Sequence, residues 1–235
     1  MIRGADSVQG MPARRPRLYM FGHKSCDPSL QHQATQTLRT LMLRATYKPL
    51  DRFLFSEYPE MFQDWFEPHK PASTKRASQK DGWRKIHAYQ WHLVPFSPDK
   101  DTHDAILRVN PFYQSLAERE KDVLLMNLCC FPLGHKFPPT QAWGLEASSN
   151  RTTHSSEEAV PCLVPNAKMW IPARERLLLG VEAMILQGAD PNYLVTLRPR
   201  AWEDSFLRDL AGNAFCAYQF AAWVAASMSA VIGNL

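Results

Sequence analysis

Glycine is scarce in this sequence, and the phosphate-binding loops that depend on glycine are missing from it. Only 10 of the 235 residues are glycine, whereas 18 are proline. No G-x-G-x-x-G segment and no G-x-x-x-x-G-K-[ST] segment occurs, so neither type of nucleotide-binding loop is predicted. The many prolines instead indicate short, interrupted elements.

Cysteine is also sparse, and its spacing fits neither a zinc site nor a disulfide framework. The five cysteines form no C-x-x-C pair and are odd in number, so we interpret them as reduced thiols of an intracellular protein. His87 and His92 lie five residues apart, which does not place them on one face of a helix. No metal site is therefore predicted.

Neither sign of charge dominates the chain. The net charge of +4 allows a nucleic-acid partner without requiring one. Hydrophobic residues make up 45% of the sequence, which predicts a folded chain with a substantial core. Residues 214–234 carry no charge and could span a bilayer. Because this stretch is rich in alanine and serine, we predict a buried or half-buried helix and no membrane partner.

Hydrophobic periodicity predicts several elements. We expect a strand over 17–21, helices over 31–47, 113–131 and 174–188, and an extended segment over 161–172. The alternation in "IHAYQWHLVPF", residues 86–96, predicts a further strand. Gly188 is expected to end the third helix, and Gly212 and Asn213 to break the chain and cap the last one.

A basic segment, residues 68–85, holds six lysines and arginines against the single acid Asp81. Its proline, serine and lysine content predicts an exposed loop, with Trp83 available for base stacking. A solvated loop without any ligand is the alternative. The candidates for phosphate contact are Lys75, Arg76, Lys80, Arg84 and Lys85.

Three separate stretches resemble, in order, the eighth, ninth and tenth signature blocks of the cytosine-5 DNA methyltransferases. In the first, Pro12, Arg15 and Arg17 precede the apolar "LYMFG", with Ala13 where the family has glutamine. The second is "RLLLGVEAMILQG", and the third is "DLAGNAF", without the prolines that often follow. The matching residues of these two stretches are Arg176, Leu178, Glu182, Leu186, Gln187 and Gly188, then Gly212, Asn213, Ala214 and Phe215.

The resemblance implies an α/β fold that is incomplete in this chain. By this resemblance the chain would be the C-terminal part of a Rossmann-like, S-adenosylmethionine-dependent methyltransferase with an inserted, irregular, mixed α+β recognition domain. Residues 1–24 would end the catalytic domain and residues 25–170 would form the target-recognition domain. Residues 171–235 would return to the catalytic domain, with helices on the cofactor side.

The resemblance also implies roles for individual residues. Arg15 and Arg17 would contact the flipped target base and phosphate, a task suited to the planar guanidinium fork. Gly212 and Asn213 would lie beside S-adenosylmethionine. Arg176, Glu182, Gln187 and Gly188 would form the structural signature at the junction of the two regions.

Three blocks that the family's chemistry needs are absent from the sequence. The family adds a thiolate to carbon 6 of cytosine, but no P-C-Q nucleophile, E-N-V or F-x-G-x-G block occurs here. Cys162 in "PCLVP" imitates the nucleophile but precedes the ninth block, where the recognition region ends. S-adenosylmethionine is therefore expected as a cofactor only when a separate or upstream catalytic half is supplied.

We accordingly predict the C-terminal part of a DNA (cytosine-5-)-methyltransferase, with DNA as its partner and a nuclear location if eukaryotic. A catalytically inactive relative that binds nucleic acid or a protein partner is the alternative. An interaction protein that uses its aromatic residues and C-terminal apolar helix is another. RNA stays open as the substrate, because some members of the superfamily modify transfer RNA.

Overall fold

The structure is a computed structural model, and the part of the chain that it describes is interrupted. The described residues are 2–3, 18–19, 28–43, 50–55, 82–145, 155–156, 160, 163–165, 168–190, 194, 204–214 and 217–232.

Eight helices and six strands lie in these residues. The helices are α1 (Pro28–Leu43), α2 (Gly82–Trp91), α3 (Lys100–Leu107), α4 (Pro111–Gln114), α5 (Glu118–Leu128), α6 (Gly180–Leu186), α7 (Asp204–Asn213) and α8 (Ala217–Ile232). The strands are β1 (Ile2–Arg3), β2 (Leu18–Tyr19), β3 (Ala142–Gly144), β4 (Ser155–Ser156), β5 (Met169–Ile171) and β6 (Arg176–Leu177). Short 3-10 turns cover Leu50–Phe53, Ser97–Asp99 and Pro172–Arg174.

The larger sheet has four short strands in the order β4-β3-β5-β6. Trp143 lies opposite Trp170, and Trp170 lies opposite Leu177. A second, two-stranded sheet pairs β1 with β2. All strand pairs among the described residues are antiparallel, so the parallel, Rossmann-like sheet stays a prediction.

The four-stranded sheet is covered on both faces, because successive side chains of a strand point to opposite sides. Trp170 packs into one core cluster with Trp143, Leu124 and other residues of α4 and α5. Its neighbours Met169 and Ile171 pack into a second cluster with Leu50 and residues of α6. The sheet therefore separates two hydrophobic cores and holds the segment that leads into α6.

The two longest helices, α1 and α8, pack against each other. Leu38 of α1 and Ala226 of α8 are buried at this contact, with Ala222 and Trp223 beside them. This matches the predicted half-buried helix at the end of the chain. None of the described helices combines the length and the apolarity needed to cross a membrane.

Several predicted elements occur with different bounds. The strand predicted over 17–21 is present at Leu18–Tyr19, and the helix predicted over 31–47 begins at Pro28. The helix predicted over 113–131 is two helices, α4 and α5, because Asn110 caps a separate short turn. Its side chain accepts hydrogen bonds from the N–H groups of Phe112 and Tyr113.

The predicted strand over 86–96 is wrong, because residues 82–91 form helix α2. Trp83, His87 and Trp91 recur every four residues and therefore share one helix face. That face meets Asp122 of α5, whose carboxylate binds both His87 and Trp91. The apparent alternation arose because a polar histidine occupies a buried position of a helix.

The predicted domain boundary after residue 170 lies inside the larger sheet. Strand β5 crosses it and pairs with β6, so the backbone ladder is continuous there. Helix α1, assigned to the recognition domain, also packs against α8, assigned to the catalytic domain. The three-part division of the chain stays a prediction.

Candidate functional site

A buried ion pair joins Arg176 and Glu182, the first and third of the six residues that resemble the ninth block. Arg176 on β6 donates from Nη1 to Glu182 Oε2 at 2.8 Å and from Nη2 to Glu182 Oε1 at 2.7 Å. Glu182 is 0% exposed and Arg176 is 8% exposed. This two-pronged geometry is specific to arginine and carboxylate, and burial makes each partner depend on the other.

The same pair holds the start of α6. Glu182 is the third residue of the helix, and its Oε2 accepts the N–H of Leu179, which precedes the helix, at 2.9 Å. A carboxylate at this position satisfies one of the unpaired N–H groups of a helix start. Glu182 therefore fixes both the arginine and the first turn of α6.

Phe55 is held by its backbone against this ion pair. Its N–H donates to Glu182 Oε1 at 2.9 Å. Its carbonyl oxygen accepts from Arg174 Nη1 at 3.2 Å and from Arg176 Nη2 at 3.4 Å. Residues more than a hundred positions apart are thus brought together, and the ninth block anchors the segment 50–55 of the predicted recognition domain.

Helices α6 and α7, which contain parts of the stretches that resemble the ninth and tenth blocks, pack closely at Gly180. The N–H of Gly180 donates to Asp204 Oδ1, and a Cβ at Gly180 would lie 2.7 Å from Leu207 Cβ. Asp204 also pairs with Arg208, with Oδ2 and Nε 3.0 Å apart, and both residues are buried. The two blocks therefore lie next to each other in space.

Gly212 lies in the last turn of α7, where it touches another backbone. A Cβ there would overlap the carbonyl carbon of Val164 and the nitrogen of Pro165. Asn213 is exposed and ends α7. The prediction that these residues form a break and cap α8 is wrong, because both belong to the preceding helix.

The ninth block ends in a glycine-terminated turn, as predicted. Gly188 has φ 90°, a left-handed conformation that favours glycine after a helix. Gln187 before it is 3% exposed. Neither atom of its side-chain amide has a hydrogen-bond partner among the described residues, so this buried amide is unsatisfied.

The end of the basic segment, predicted as a loop, is the first turn of α2. Arg84 and Lys85 are exposed there. The ring of Trp83 packs edge-on against His87, with centroids 4.8 Å apart, and the Arg84 guanidinium lies 5.7 Å from the Trp83 centroid. The structure therefore places two of the five phosphate-contact candidates side by side on a helix.

Other predicted site residues lie outside the described residues. These are Arg15 and Arg17, from the stretch that resembles the eighth block, and Lys75, Arg76 and Lys80 of the basic segment. Cys162, which is not predicted to be a nucleophile, also lies outside them. Their assignments stay predictions.

A polar cluster around Asp122 was missed from the sequence. His87 Nδ1 lies 2.7 Å from Asp122 Oδ2, while Trp91 Nε1 and Lys100 Nζ donate to Oδ1 at 3.1 and 3.0 Å. The Lys100 ammonium also lies 4.4 Å from the centroid of the Trp91 ring. The four-residue spacing of His87 and Trp91 is the sequence signal for a shared helix face, although the alternation over residues 86–96 predicted a strand.

A second cluster, around Asp104, was also missed. Tyr113 Oη donates to Asp104 Oδ1, and Arg108 donates from Nε and Nη2 to Oδ2. The hydrogen bond from Tyr113 is the main cause that lowers the pKa of Asp104, ahead of the bond from Arg108. Burial, followed by Asp104 itself, raises the pKa of Tyr113 above its ordinary value.

The surroundings of the two described cysteines, buried Cys129 and exposed Cys130, disfavour the thiolate form. Burial is the main cause that raises the pKa of Cys129 to about 11, and burial also raises the pKa of Cys130. Both side chains are therefore thiols near neutral pH, whereas nucleophiles and metal ligands are thiolates. In the described part of the chain, no group of His, Cys, Asp and Glu side chains could hold a metal ion.

No protein-family model matches this chain, and no curated protein matches it either.

Proposed function

We propose that the chain acts as the C-terminal part of a DNA (cytosine-5-)-methyltransferase. In this role it contributes target recognition and part of the base and S-adenosylmethionine pockets. The nucleophilic cysteine comes from another segment, because the sequence contains no P-C-Q block.

The observation that carries this proposal is the contact between Arg176 and Glu182. They are six residues apart and align with the arginine and glutamate of the ninth block. They bind each other through two hydrogen bonds and are both buried, so one structural role explains why both residues occur in this stretch. A solvated polar helix face, the ordinary explanation for such residues, would leave both side chains exposed.

The contact between α6 and α7 supports the proposal from a second direction. The resemblance places the ninth and tenth blocks in one catalytic domain, and Gly180 and Asp204 join the helices that carry them. The segment 50–55, from the predicted recognition domain, is held at the same place by Glu182. This arrangement suits a junction between recognition and catalytic parts.

S-adenosylmethionine supplies the methyl group in this chemistry, and the fit of the tenth block to it is partial. The exposed Asn213 has room to contact a cofactor. Gly212 does not present an open face, because Val164 and Pro165 fill the place where its Cβ would stand. We therefore assign Gly212 to helix packing and propose Asn213 as the cofactor-side residue.

Arg84 and Lys85 would contact the DNA backbone from the exposed start of α2. Both side chains are exposed. Lys85 forms no ion pair with any carboxylate in the described part of the chain. Lysine and arginine side chains that neutralise phosphates release bound counterions, which makes affinity fall steeply with salt.

Fluorescence anisotropy with a labelled 20-base-pair duplex tests the proposal. We expect binding that weakens linearly on a log–log plot as NaCl rises from 50 to 200 mM, and no methyl transfer when labelled S-adenosylmethionine is added. An RNA duplex of the same sequence serves as the comparison. Absence of DNA binding, or robust methyl transfer by this chain alone, would contradict the proposal.

A further inference from the structure

A cavity of about 630 Å³ opens beside the larger sheet, and none of the signature residues lines it. It lies between the end of α3, the loop over residues 132–137 and the turn that leads into β6. Leu107, Leu128 and Trp170 are the apolar residues at its inner side. Cavities of this volume commonly hold small organic ligands. We call it the aromatic cavity.

A series of aromatic rings leads from the core to the mouth of the aromatic cavity. The ring of Phe137 meets buried Trp143 edge-on at 5.0 Å and meets His135 edge-on at 4.9 Å. His135 stacks on Phe131 with centroids 4.6 Å apart and planes 20° apart, while remaining exposed. The exposed ring of His135 is therefore held in place by aromatic residues that pack on the core.

Hydrogen bonds to backbone carbonyl groups hold both rims of the aromatic cavity. The N–H of His135 donates to the carbonyl of Pro132 at 3.0 Å, and Gly134 between them has φ 78°, where glycine is favoured. On the other rim, Asn110 Nδ2 donates to the carbonyl of Glu175 at 2.7 Å. The mouth is thus shaped by turns with defined hydrogen bonds.

The charged groups around the aromatic cavity favour an anion. Lys136 and Arg174 line it, and Glu175 is the one carboxylate among the described lining residues. Arg174 is oriented by its hydrogen bond to the carbonyl of Phe55. Lys136 is exposed and has no ion pair within the described part of the chain.

His103 adds an uncharged polar group to the lining. Its Nε2 is buried and has no hydrogen-bond partner among the described residues. Burial is the main cause that lowers the pKa of His103, against the opposing effect of Asp99, so the ring is neutral near pH 7. A neutral imidazole can donate or accept a hydrogen bond at the edge of a ligand.

We propose that the aromatic cavity receives one unpaired nucleotide of a nucleic acid, with its base against His135 and Phe137 and its phosphate on Lys136 and Arg174. Bases stack on aromatic side chains irrespective of sequence, and lysine and arginine neutralise phosphate. The Glu175 carboxylate and His103 provide hydrogen-bonding partners for the edge of the base. The inference rests on the proposed function, because it names which part of the nucleic acid the chain holds where the predicted recognition and catalytic regions meet.

The test compares two labelled DNA duplexes of the same sequence, one fully paired and one with a single unpaired nucleotide. Their affinities for the full chain are measured by anisotropy at one salt concentration. We expect the duplex with the unpaired nucleotide to bind about tenfold more tightly, the size expected for stacking one base.

Two variants of the cavity should remove this preference. Ile106→Trp places a large ring at the lining, and His135→Ala removes the exposed stacking ring. The control is Leu93→Trp, because Leu93 is 69% exposed and does not line the cavity. Urea unfolding of each variant checks that it folds. If Ile106→Trp does not fold, the binding measured for His135→Ala alone tests the cavity. Both cavity variants should bind the paired duplex as the unsubstituted chain does.

The outcomes distinguish a failure of the nucleotide cavity alone from a failure of the proposed function. If both duplexes bind equally, with a steep salt dependence, the nucleotide cavity is refuted while the proposed function stands. A preference that survives His135→Ala refutes the cavity as its source. If neither duplex binds, the proposed function fails, and the inference fails with it.

Discussion

Glu182 accepts two hydrogen bonds from the guanidinium of Arg176, and neither side chain is accessible enough for water to replace the other. Glu182 also accepts the N–H groups of Leu179 and Phe55. One carboxylate therefore links a strand, a helix start and a distant segment. The proposed junction between the recognition and catalytic regions therefore depends on the Glu182 carboxylate.

Glu182→Ala is expected to lower the free energy of unfolding by about 3–5 kcal/mol, because it leaves the buried Arg176 charge without a partner. Urea denaturation measures the change. Glu118→Ala is the control, since it removes an exposed ion pair with Lys121 and should cost about 1 kcal/mol or less. Equal losses of unfolding free energy in the two variants would show that the buried pair stabilises the fold no more than the exposed pair does.

Gly212→Ala is expected to destabilise the protein by about 1–3 kcal/mol, because its Cβ would overlap the backbone of Val164 and Pro165. Gly82→Ala is the matched control, since nothing lies within 4 Å of a Cβ there. That change should alter stability by less than about 1 kcal/mol. Thermal unfolding compares the two, and a Gly212→Ala protein as stable as the control would contradict this packing.

The stability of the fold should depend on pH through Asp104. The pKa of this carboxyl is lowered in the folded state, first by the hydrogen bond from Tyr113, so its ionised form stabilises the fold above the ordinary value of 3.8. That stabilisation is lost as the pH falls below 3.8 and through the folded-state pKa. Tyr113→Phe should therefore lose less stability between pH 5 and pH 3 than the unsubstituted chain.

Urea unfolding at the two pH values provides the measurement for Asp104. Tyr89→Phe is the control because Tyr89 is exposed, and it should keep the acid sensitivity of the unsubstituted chain. An unchanged acid sensitivity in Tyr113→Phe would mean that the tyrosine does not set the pKa of Asp104.

The double change Arg84→Ala and Lys85→Ala should flatten the salt dependence of DNA binding. If each side chain contacts one phosphate, the log–log slope should fall by about 1.8, at about 0.9 per contact. Lys136→Ala, which removes one charge outside α2, is the comparison. With the fully paired duplex we expect this variant to keep the log–log salt slope of the unsubstituted chain. A slope unaltered by the double change would exclude the start of α2 from the DNA interface.

Local patterns in the sequence predicted those elements that neighbouring residues determine. The helix containing Leu38, the strand containing Leu18 and the turn at Gly188 all follow from periodicity and glycine chemistry. The ninth block placed Arg176 and Glu182 in one signature, although their direct hydrogen bonds came from the structure.

The errors concern residues whose partners are distant in the chain. His87 is buried because Asp122, thirty-five positions later, binds it, and periodicity within residues 86–96 carries no information about that partner. The helix predicted from residue 174 starts at Gly180, because Arg176 and Leu177 pair with β5. The sequence predicted a chain break at Gly212, but the glycine lies inside α7, where the backbone of Val164 and Pro165 leaves no room for a Cβ.

Selection from a pool of random DNA duplexes tests target recognition most directly. The full chain is incubated with the pool, bound duplexes are recovered and amplified over several rounds, and the enriched sequences are compared. The proposed function predicts one short enriched motif with an invariant cytosine, the base that the enzyme would methylate. Enrichment of no motif, or of a motif without cytosine, would contradict it.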